Sequence, residues 1–239
     1  MASLQILRLL IATLKGGPGK TTSVILLAIA LARRNYNVVV ICADTRTRGA
    51  TDWVQESLRL GYTVPFKLAI WEEKNGPLSA FARTVEQQTG ADAVLIDTGG
   101  EQPEAFAHGC LYADKLIMPV GPMNGELRRI LETYRHAAAI NESGSKLDIS
   151  VLLTRVPQAG KGKAREARED LSTDLRAADG TPDPDKPYAL GLHVLTAEIT
   201  RAGAYDEMYC IIPDDVGEYE DLCTELVGPG NKPGTEGAA

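Results

Sequence analysis

The chain of 239 residues is short of aromatic side chains, cysteines and long apolar runs, and each shortage excludes a class of protein. Aromatic residues make up 5% of the total, and no stretch reaches the roughly 18 consecutive apolar residues that a membrane-spanning helix needs. Neither the cysteines nor the three histidines have the spacing of metal ligands, so we expect reduced thiols and no structural zinc site. The N-terminus lacks a charged start followed by a cleavage site, which favours a cytoplasmic protein without a removed signal peptide. The cysteines are Cys42, Cys110, Cys210 and Cys223.

Apolar and charged residues are present in the proportions of an ordinary soluble enzyme, at 44% and 24%. The net charge is −7, and most of the acidic excess lies after residue 150. This balance argues against a wholly basic nucleic-acid-binding protein, although it leaves room for a local basic patch.

Apolar segments alternate with helical patterns along the chain, which predicts an α/β fold with a mostly parallel, twisted sheet and helices on both faces. The candidate strands are 4–14, 37–42, 66–70, 93–96, 115–119, 149–154 and 188–195. The candidate helices are 20–34, 49–59, 78–89, 103–109, 125–140, 162–178, 199–210 and 217–227. We predict one domain, residues 1–227, followed by a flexible tail, residues 228–239, that is rich in glycine and proline.

A glycine-rich segment, residues 14–22, joins the first candidate strand to the first candidate helix. This is the context of a phosphate-binding loop (P-loop), because glycines let consecutive backbone N–H groups converge on one anion at the helix start. Lys20 would reach the β- and γ-phosphates of a nucleotide, and the Thr21 hydroxyl would hold Mg²⁺. The alternative is an ordinary glycine-rich turn. The candidate nucleotide-binding residues are Gly16, Gly17, Pro18, Gly19, Lys20, Thr21 and Thr22.

A second element of such a site is an apolar strand that ends in an acid, known as a Walker B element. Residues 93–97 read Ala-Val-Leu-Ile-Asp and are followed by Thr98, Gly99 and Gly100. Because the carboxyl end of a parallel strand faces the crevice where phosphate binds, Asp97 can hold Mg²⁺ directly or through water. Gly99 and Gly100 can offer backbone N–H groups to the γ-phosphate. An acid after a strand is common, so this prediction depends on its pairing with the P-loop.

The glycine-rich segment departs from the standard P-loop, because Leu14 stands where a glycine is usual and Lys15 follows it. It resembles the deviant form, KGGxGKTT, of the ParA/MinD family of dimeric ATPases. That resemblance implies ATP and Mg²⁺ as cofactors and an ATP-dependent homodimer. It also implies that Lys15 crosses the dimer interface to the nucleotide of the partner subunit, where it stabilises charge on the transferring phosphoryl group.

The second candidate strand ends in a segment that resembles the family's DxDPQ motif. Asp44 matches the second aspartate, which in the family orients the attacking water, and we also consider it as a metal ligand. Cys42 replaces the first aspartate, while Thr45 and Arg46 replace the proline and glutamine. These departures leave two alternatives open. Asp44 could be a helix cap or loop acid, and the whole chain could be a hydrolysis-impaired binding scaffold.

Later segments resemble the family more loosely. Thr154 and Arg155 end the sixth candidate strand, where the family contacts the adenine base. Residues 196–205 are similar to a stretch in the C-terminal third of ParA proteins. A basic cluster that begins at residue 161 is a candidate surface for non-specific DNA, and a solvated amphipathic face is the alternative. The candidate DNA-binding residues are Lys161, Lys163, Arg165, Arg168 and Arg201.

The resemblance is strongest to a small ParA-type partition ATPase without an N-terminal helix-turn-helix. It implies slow ATP hydrolysis, stimulated by a centromere-binding partner protein, and association with the nucleoid through non-specific DNA. The C-terminal segment is acidic, unlike the basic amphipathic helix by which MinD proteins bind membranes, so we expect no membrane partner. The alternative is a related ATPase that positions a different cargo.

Overall fold

A computed structural model describes residues 6–14, 19–159, 161–177, 181, 183–200, 205 and 207–232 of the chain. Five residues of the predicted sites lie outside the described residues. They are Lys15, Gly16, Gly17, Pro18 and Arg201.

The centre of the fold is a seven-stranded sheet in the order β3-β2-β4-β1-β5-β6-β7, in which all paired strands run parallel. The strands are β1 (Leu7–Ile11), β2 (Val38–Cys42), β3 (Lys67–Ile70), β4 (Ala93–Asp97), β5 (Lys115–Val120), β6 (Asp148–Val156) and β7 (His193–Thr200). Strands such as β2 and β4 are apolar and fully buried along their length, as expected for parallel strands that are covered on both faces. The predicted parallel α/β sheet is therefore confirmed.

Helices cover both faces of this sheet. They are α1 (Lys20–Arg33), α2 (Gly49–Arg59), α3 (Leu78–Thr89), α4 (Pro103–Tyr112), α5 (Asn124–Glu142), α6 (Gly162–Ser172) and α7 (Tyr219–Val227), with a short 3₁₀ turn at Glu73–Asn75. Buried residues of α1, α2 and α7 form one apolar layer, and those of α3 to α6 form the other. Alternate residues of β1 enter the two layers: Leu9 and Ile11 face α1, while Leu10 faces α4. In the part of the chain that the structure describes, no helix combines the length and apolarity needed to cross a bilayer.

Three predicted elements were wrong in their extent. The last strand was predicted over residues 188–195, but β7 spans His193–Thr200. A helix was predicted from residue 199, but β7 continues to Thr200, which pairs with Val156 of β6. Ala197 and Ile199 are buried in the layer that contains α1 and α7, and this burial outweighs the weak helical preference of the segment. Helix α6 ends at Ser172 rather than at residue 178, because Thr173 turns to an extended backbone and Asp174 then bridges to Leu190.

Candidate nucleotide-binding site

A cavity of about 680 Å³ lies at the carboxyl ends of the central strands. Parallel strands meet there with the first turn of α1, which is the position where open α/β sheets bind ligands. Besides Gly100, six residues that were predicted from the sequence line this cavity together. They are Gly19, Lys20, Thr21, Thr22, Asp44 and Arg155.

Gly19 is the N-cap of α1 and has a positive φ of 89°, a backbone conformation that glycine adopts without steric cost. The helix that follows brings Lys20 and Thr21 to the cavity. Lys20 is buried, and this burial lowers the pKa of its ammonium group, while the carboxylates of Asp97 and Asp44 act in the opposite direction. The helix start therefore presents a lysine in a poorly hydrated place that favours an anionic partner.

Asp97 ends β4 and is completely buried. Burial raises the pKa of its carboxyl group to about 7, and the nearby Asp44 adds to this effect, while the hydrogen bond from Thr21 and the charge of Lys20 oppose it. The Thr21 hydroxyl donates to Asp97 Oδ2 at 2.9 Å. Among the described residues, Asp97 Oδ1 has no hydrogen-bond partner.

These oxygen atoms fit a magnesium ion. Mg²⁺ prefers hard oxygen ligands and is held in many nucleotide sites by one carboxylate, one hydroxyl and the phosphates. Thr21 supplies the hydroxyl from the cavity wall, and Asp97 supplies the carboxylate from its buried position behind Thr21. An unsatisfied buried carboxylate oxygen is costly unless a cation or donor meets it.

Asp44 forms a tight turn of its own. Its Oδ1 accepts the backbone N–H groups of Arg46 and Thr47, each at 3.0 Å, and its Oδ2 accepts the Thr47 hydroxyl. Gly99 packs directly against this carboxylate, since a Cβ atom at Gly99 would lie 2.6 Å from Asp44 Oδ1. Asp44 thus has the structural role of a loop acid, and it also lines the cavity.

Cys42, which stands in place of the family's first aspartate, lies inside the sheet. It is buried at the end of β2 beside Asp97 of β4, and burial raises the pKa of its thiol. It does not line the cavity within the described part of the chain.

The structure adds cavity residues that the sequence analysis did not assign to nucleotide binding. Arg46 and Thr47 follow Asp44 in the turn, Glu101 belongs to the loop after β4, and Arg129 projects from α5. Because Arg46 and Thr47 closely follow Asp44 in the sequence, they could have been predicted to line the cavity. Arg129 is brought to the site only by the packing of α5, which no local pattern reveals.

The remaining predicted residues lie at different depths. Thr154 is buried, and its Cγ2 would be 3.9 Å from a Cβ atom at Gly19, so it lies beneath the helix start rather than in the cavity. Arg155 is exposed, lines the cavity and has a positive φ of 53°, an uncommon conformation that coincides with a register shift near the end of β6. Gly100 lines the cavity, whereas Gly99 is covered by Asp44.

The basic cluster lies away from the cavity, on α6. Lys161, Lys163 and Arg165 are exposed, and Lys163 pairs with Glu166 at 3.1 Å. Arg168 differs, because its guanidinium donates to the backbone carbonyls of Val194 and Leu195 and to the Glu198 carboxylate. Arg168 therefore fastens α6 to β7.

A loop that leads into a helix at the central strand, with a buried acid at the end of the neighbouring strand, defines a P-loop NTPase-like protein. The chain belongs to the CobQ/CobB/MinD/ParA nucleotide-binding-domain family, whose sequence profile matches residues 9–182. This family comprises ParA/MinD-like ATPases with roles in positioning and partition.

Three relatives illustrate the similarity. The maintenance of carboxysome distribution protein A of Gloeobacter kilaueensis is 33% identical over 158 residues, which are 66% of this chain and 67% of the relative. A plasmid partition protein of Borrelia burgdorferi B31, solved with AMPPNP, has a TM-score of 0.64 at 18% identity, over 92% of this chain and 98% of its own. The septum site-determining protein MinD of Pyrococcus horikoshii, solved with Mg-ADP, has a TM-score of 0.62 at 17% identity, over 93% and 95%.

Proposed function

We propose that this protein is an ATP-dependent DNA segregation ATPase. Two copies would enclose ATP and Mg²⁺ between them, bind DNA without sequence preference, and separate after a centromere-binding partner protein stimulates hydrolysis. The observation that supports this most is the contact of Asp97 with Thr21, which together with Lys20 lines a cavity whose volume falls in the range of small-molecule sites. The plasmid partition protein of the same fold, solved with AMPPNP, is consistent with it.

The residues of the cavity have complementary tasks in this proposal. Lys20 and the N–H groups at the start of α1 would bind the phosphates, while the Thr21 hydroxyl and the Asp97 carboxylate would hold the metal ion. Mg²⁺, when bound, neutralises negative charge on the phosphate oxygens. Lys15 would complete the site of the partner subunit. Arg155 would lie toward the adenine base from the cavity rim, and Thr154 would support this side of the site from beneath the start of α1.

We also propose that Asp44 orients the attacking water. Its carboxylate is held by the turn that follows it and lines the cavity wall, so it is fixed before a nucleotide arrives. A residue that only positions or deprotonates water affects the rate of turnover rather than the affinity for the nucleotide.

The test is to measure ATP hydrolysis and Mg-nucleotide binding for the wild type, Lys20→Ala and Asp44→Ala, with Lys146→Ala as the control. Lys146 is an exposed lysine just before β6, at the amino ends of the strands and therefore on the side of the sheet opposite the cavity. Lys20→Ala should lose binding and hydrolysis, whereas Asp44→Ala should keep binding and lose about 100-fold or more in turnover. Unchanged turnover in Asp44→Ala would refute its role, and a wild type that binds no nucleotide would refute the proposed function.

DNA binding is proposed for the α6 surface, defined as Lys161, Lys163 and Arg165. Three exposed cations, doubled in a dimer, would contact phosphates in a salt-dependent way. Arg201 stays a proposed contributor, and Arg168 is left out because its guanidinium is already bound within the fold.

The DNA experiment compares plasmid-length DNA binding with AMPPNP and with ADP at low salt. Replacing the three residues of the α6 surface with alanine should weaken binding about tenfold or more and reduce its salt dependence. The control replaces Arg59, Lys74 and Lys146, which are also exposed, and so removes the same charge elsewhere. If the control weakens binding equally, the α6 surface is not the DNA site.

A second candidate function is the positioning of another cargo. Two observations favour it: the 33% identical relative is named for carboxysome distribution, and the chain carries a net charge of −7. Hydrolysis of ATP by a protein that binds no DNA would support this function. Nucleotide binding without hydrolysis would instead support the scaffold alternative, which the Cys42 and Thr45–Arg46 departures leave open.

A further inference from the structure

Two loops at the cavity contact each other through three pairs of residues. Loop 44–47 follows β2, and loop 98–102 follows β4. Asp44 packs on Gly99, and the Thr45 hydroxyl lies 2.7 Å from the side-chain amide of Gln102. These two contacts are buried or half-buried, so they hold the loops together.

The third contact is an ion pair that is exposed to solvent. Arg46 Nη1 lies 3.3 Å from Glu101 Oε2, and the two side chains are 65% and 74% exposed. An exposed ion pair of this type is screened by water and ions and adds little to stability. The Arg46–Glu101 pair is therefore a contact that a stronger anion can replace.

Arg46 is also placed to meet such an anion. It lines the nucleotide cavity together with Lys20 and Thr21. Its backbone N–H is fixed to Asp44 Oδ1 at 3.0 Å, while its side chain is largely free of packing. The backbone is thus anchored, and the guanidinium can change partners without moving the loop.

We propose that Arg46 exchanges Glu101 for the terminal phosphate of a nucleoside triphosphate and thereby makes the site prefer triphosphate over diphosphate. A guanidinium binds phosphate oxygens in a bidentate way and more strongly than it binds an exposed carboxylate. A diphosphate lacks the terminal group, so Arg46 stays with Glu101. This proposal depends on the proposed nucleotide site, and it assigns a role to an arginine that stands where the resembled motif has glutamine.

The backbone of Glu101 is anchored independently of its side chain. The backbone N–H of Glu101 donates to the carbonyl of Leu14, the first residue of the glycine-rich segment, at 2.6 Å. Glu101 has a positive φ of 61°, so its backbone holds an uncommon conformation while this hydrogen bond is made. The partner change of Arg46 would free the Glu101 side chain and leave this backbone contact in place.

The test compares dissociation constants for AMPPNP and ADP, each with Mg²⁺, at a protein concentration where the loaded chain is monomeric by sedimentation. The variants are Arg46→Ala, Arg46→Lys, Glu101→Gln and the double variant Arg46→Ala/Glu101→Gln. Arg59→Ala is the matched control, because Arg59 is an exposed arginine that pairs with a glutamate, Glu56, away from the cavity.

Arg46→Ala should weaken AMPPNP binding about tenfold and change ADP binding less than about twofold, as expected for one charged hydrogen-bonding group. Arg46→Lys should lie between the wild type and Arg46→Ala, because it keeps the charge and loses the bidentate geometry. Glu101→Gln should strengthen AMPPNP binding about two- to threefold, and this gain should vanish in the double variant. Arg59→Ala should resemble the wild type.

Three results would overturn the proposal: equal weakening of both nucleotides by Arg46→Ala, no weakening of either, or a Glu101→Gln gain that persists without Arg46. If circular dichroism shows that Arg46→Ala is unfolded, the results for Arg46→Lys and Glu101→Gln test the proposal instead. Failure of the proposed function looks different, since the wild type itself would then bind neither AMPPNP nor ADP.

Discussion

At the scale of single residues, Asp97 shows the strongest conflict between stability and function. A carboxyl group that is fully buried with one oxygen unpaired destabilises the fold whenever it is ionised. The cost of ionising the buried carboxyl group appears as its raised pKa of about 7. Such a perturbed acid, in contact with a residue of the cavity wall, is typical of a functional site.

Replacing Asp97 with asparagine keeps the shape of the side chain and removes its charge. In the nucleotide-free chain, the folded-state pKa of about 7 lies above the ordinary value of 3.8. The folded state therefore holds a proton that the unfolded state has lost, and the free energy of unfolding of the wild type falls as the pH rises from about 4 to about 7. Because each pKa unit corresponds to about 1.4 kcal/mol, Asp97→Asn should be more stable than the wild type by on the order of a few kcal/mol at pH 8.

The measurement is urea unfolding of both proteins at pH 5 and pH 8, without Mg²⁺ or nucleotide. The advantage of the variant should shrink at pH 5, where the wild-type carboxyl is protonated in the fold. An advantage that is the same at both pH values would contradict the assigned cause.

At the scale of elements, α7 is held against α1 by a buried polar contact. The Tyr219 hydroxyl lies 3.1 Å from the Ser23 hydroxyl, and both side chains are buried. The rings of Tyr205 and Tyr219 also pack nearly perpendicular to each other, with 5.6 Å between ring centres. Since Ser23 lies in the first turn of α1, this contact connects the C-terminal helix to the element that begins at the P-loop.

Tyr219→Phe should lower the free energy of unfolding by about 1 kcal/mol, because it keeps the ring and leaves the Ser23 hydroxyl buried without its partner. Ser23→Ala should have a similar effect for the converse reason. The double variant should cost less than the sum of the two single variants, since no unpaired hydroxyl remains. Denaturant titration of the four proteins checks this, and strictly additive effects would show that the two hydroxyl groups do not interact.

The elements also show how far the sequence determines what is seen. The runs at residues 37–42 and 93–96 predicted the strands β2 (Val38–Cys42) and β4 (Ala93–Asp97) correctly, because strands buried on both faces need no polar alternation. Residues 196–200 read Thr-Ala-Glu-Ile-Thr, which suits a helix or a strand, and pairing with β6 decided the outcome. The requirement for glycine at position 99 comes from the Asp44 carboxylate of another loop, and such a contact between distant segments has no local signature.

At the scale of the whole molecule, the proposed function requires two copies to meet with their cavities face to face. With AMPPNP and Mg²⁺, the wild type should change from 25.7 kDa to twice that mass in sedimentation velocity. Lys15→Ala should keep nucleotide binding and lose this doubling, whereas Lys20→Ala should lose both, because the resemblance assigns Lys15 to the partner's nucleotide and Lys20 to its own. A Lys15→Ala variant that still doubles in mass would contradict the role assigned to Lys15.

The parallel sheet places every functional loop described above at the carboxyl ends of its strands. A fluorescent label can therefore be attached at the amino ends of the strands. Residues 143–147 connect α5 to the start of β6, and Arg155 at the cavity rim lies nine residues further along the chain from Lys146. At about 3.3 Å per residue, that separation is about 30 Å. Three of the four cysteines are buried and Cys210 is partly exposed. A maleimide dye on Lys146→Cys, with Cys210 changed to serine, would therefore follow the protein by fluorescence microscopy without touching the nucleotide.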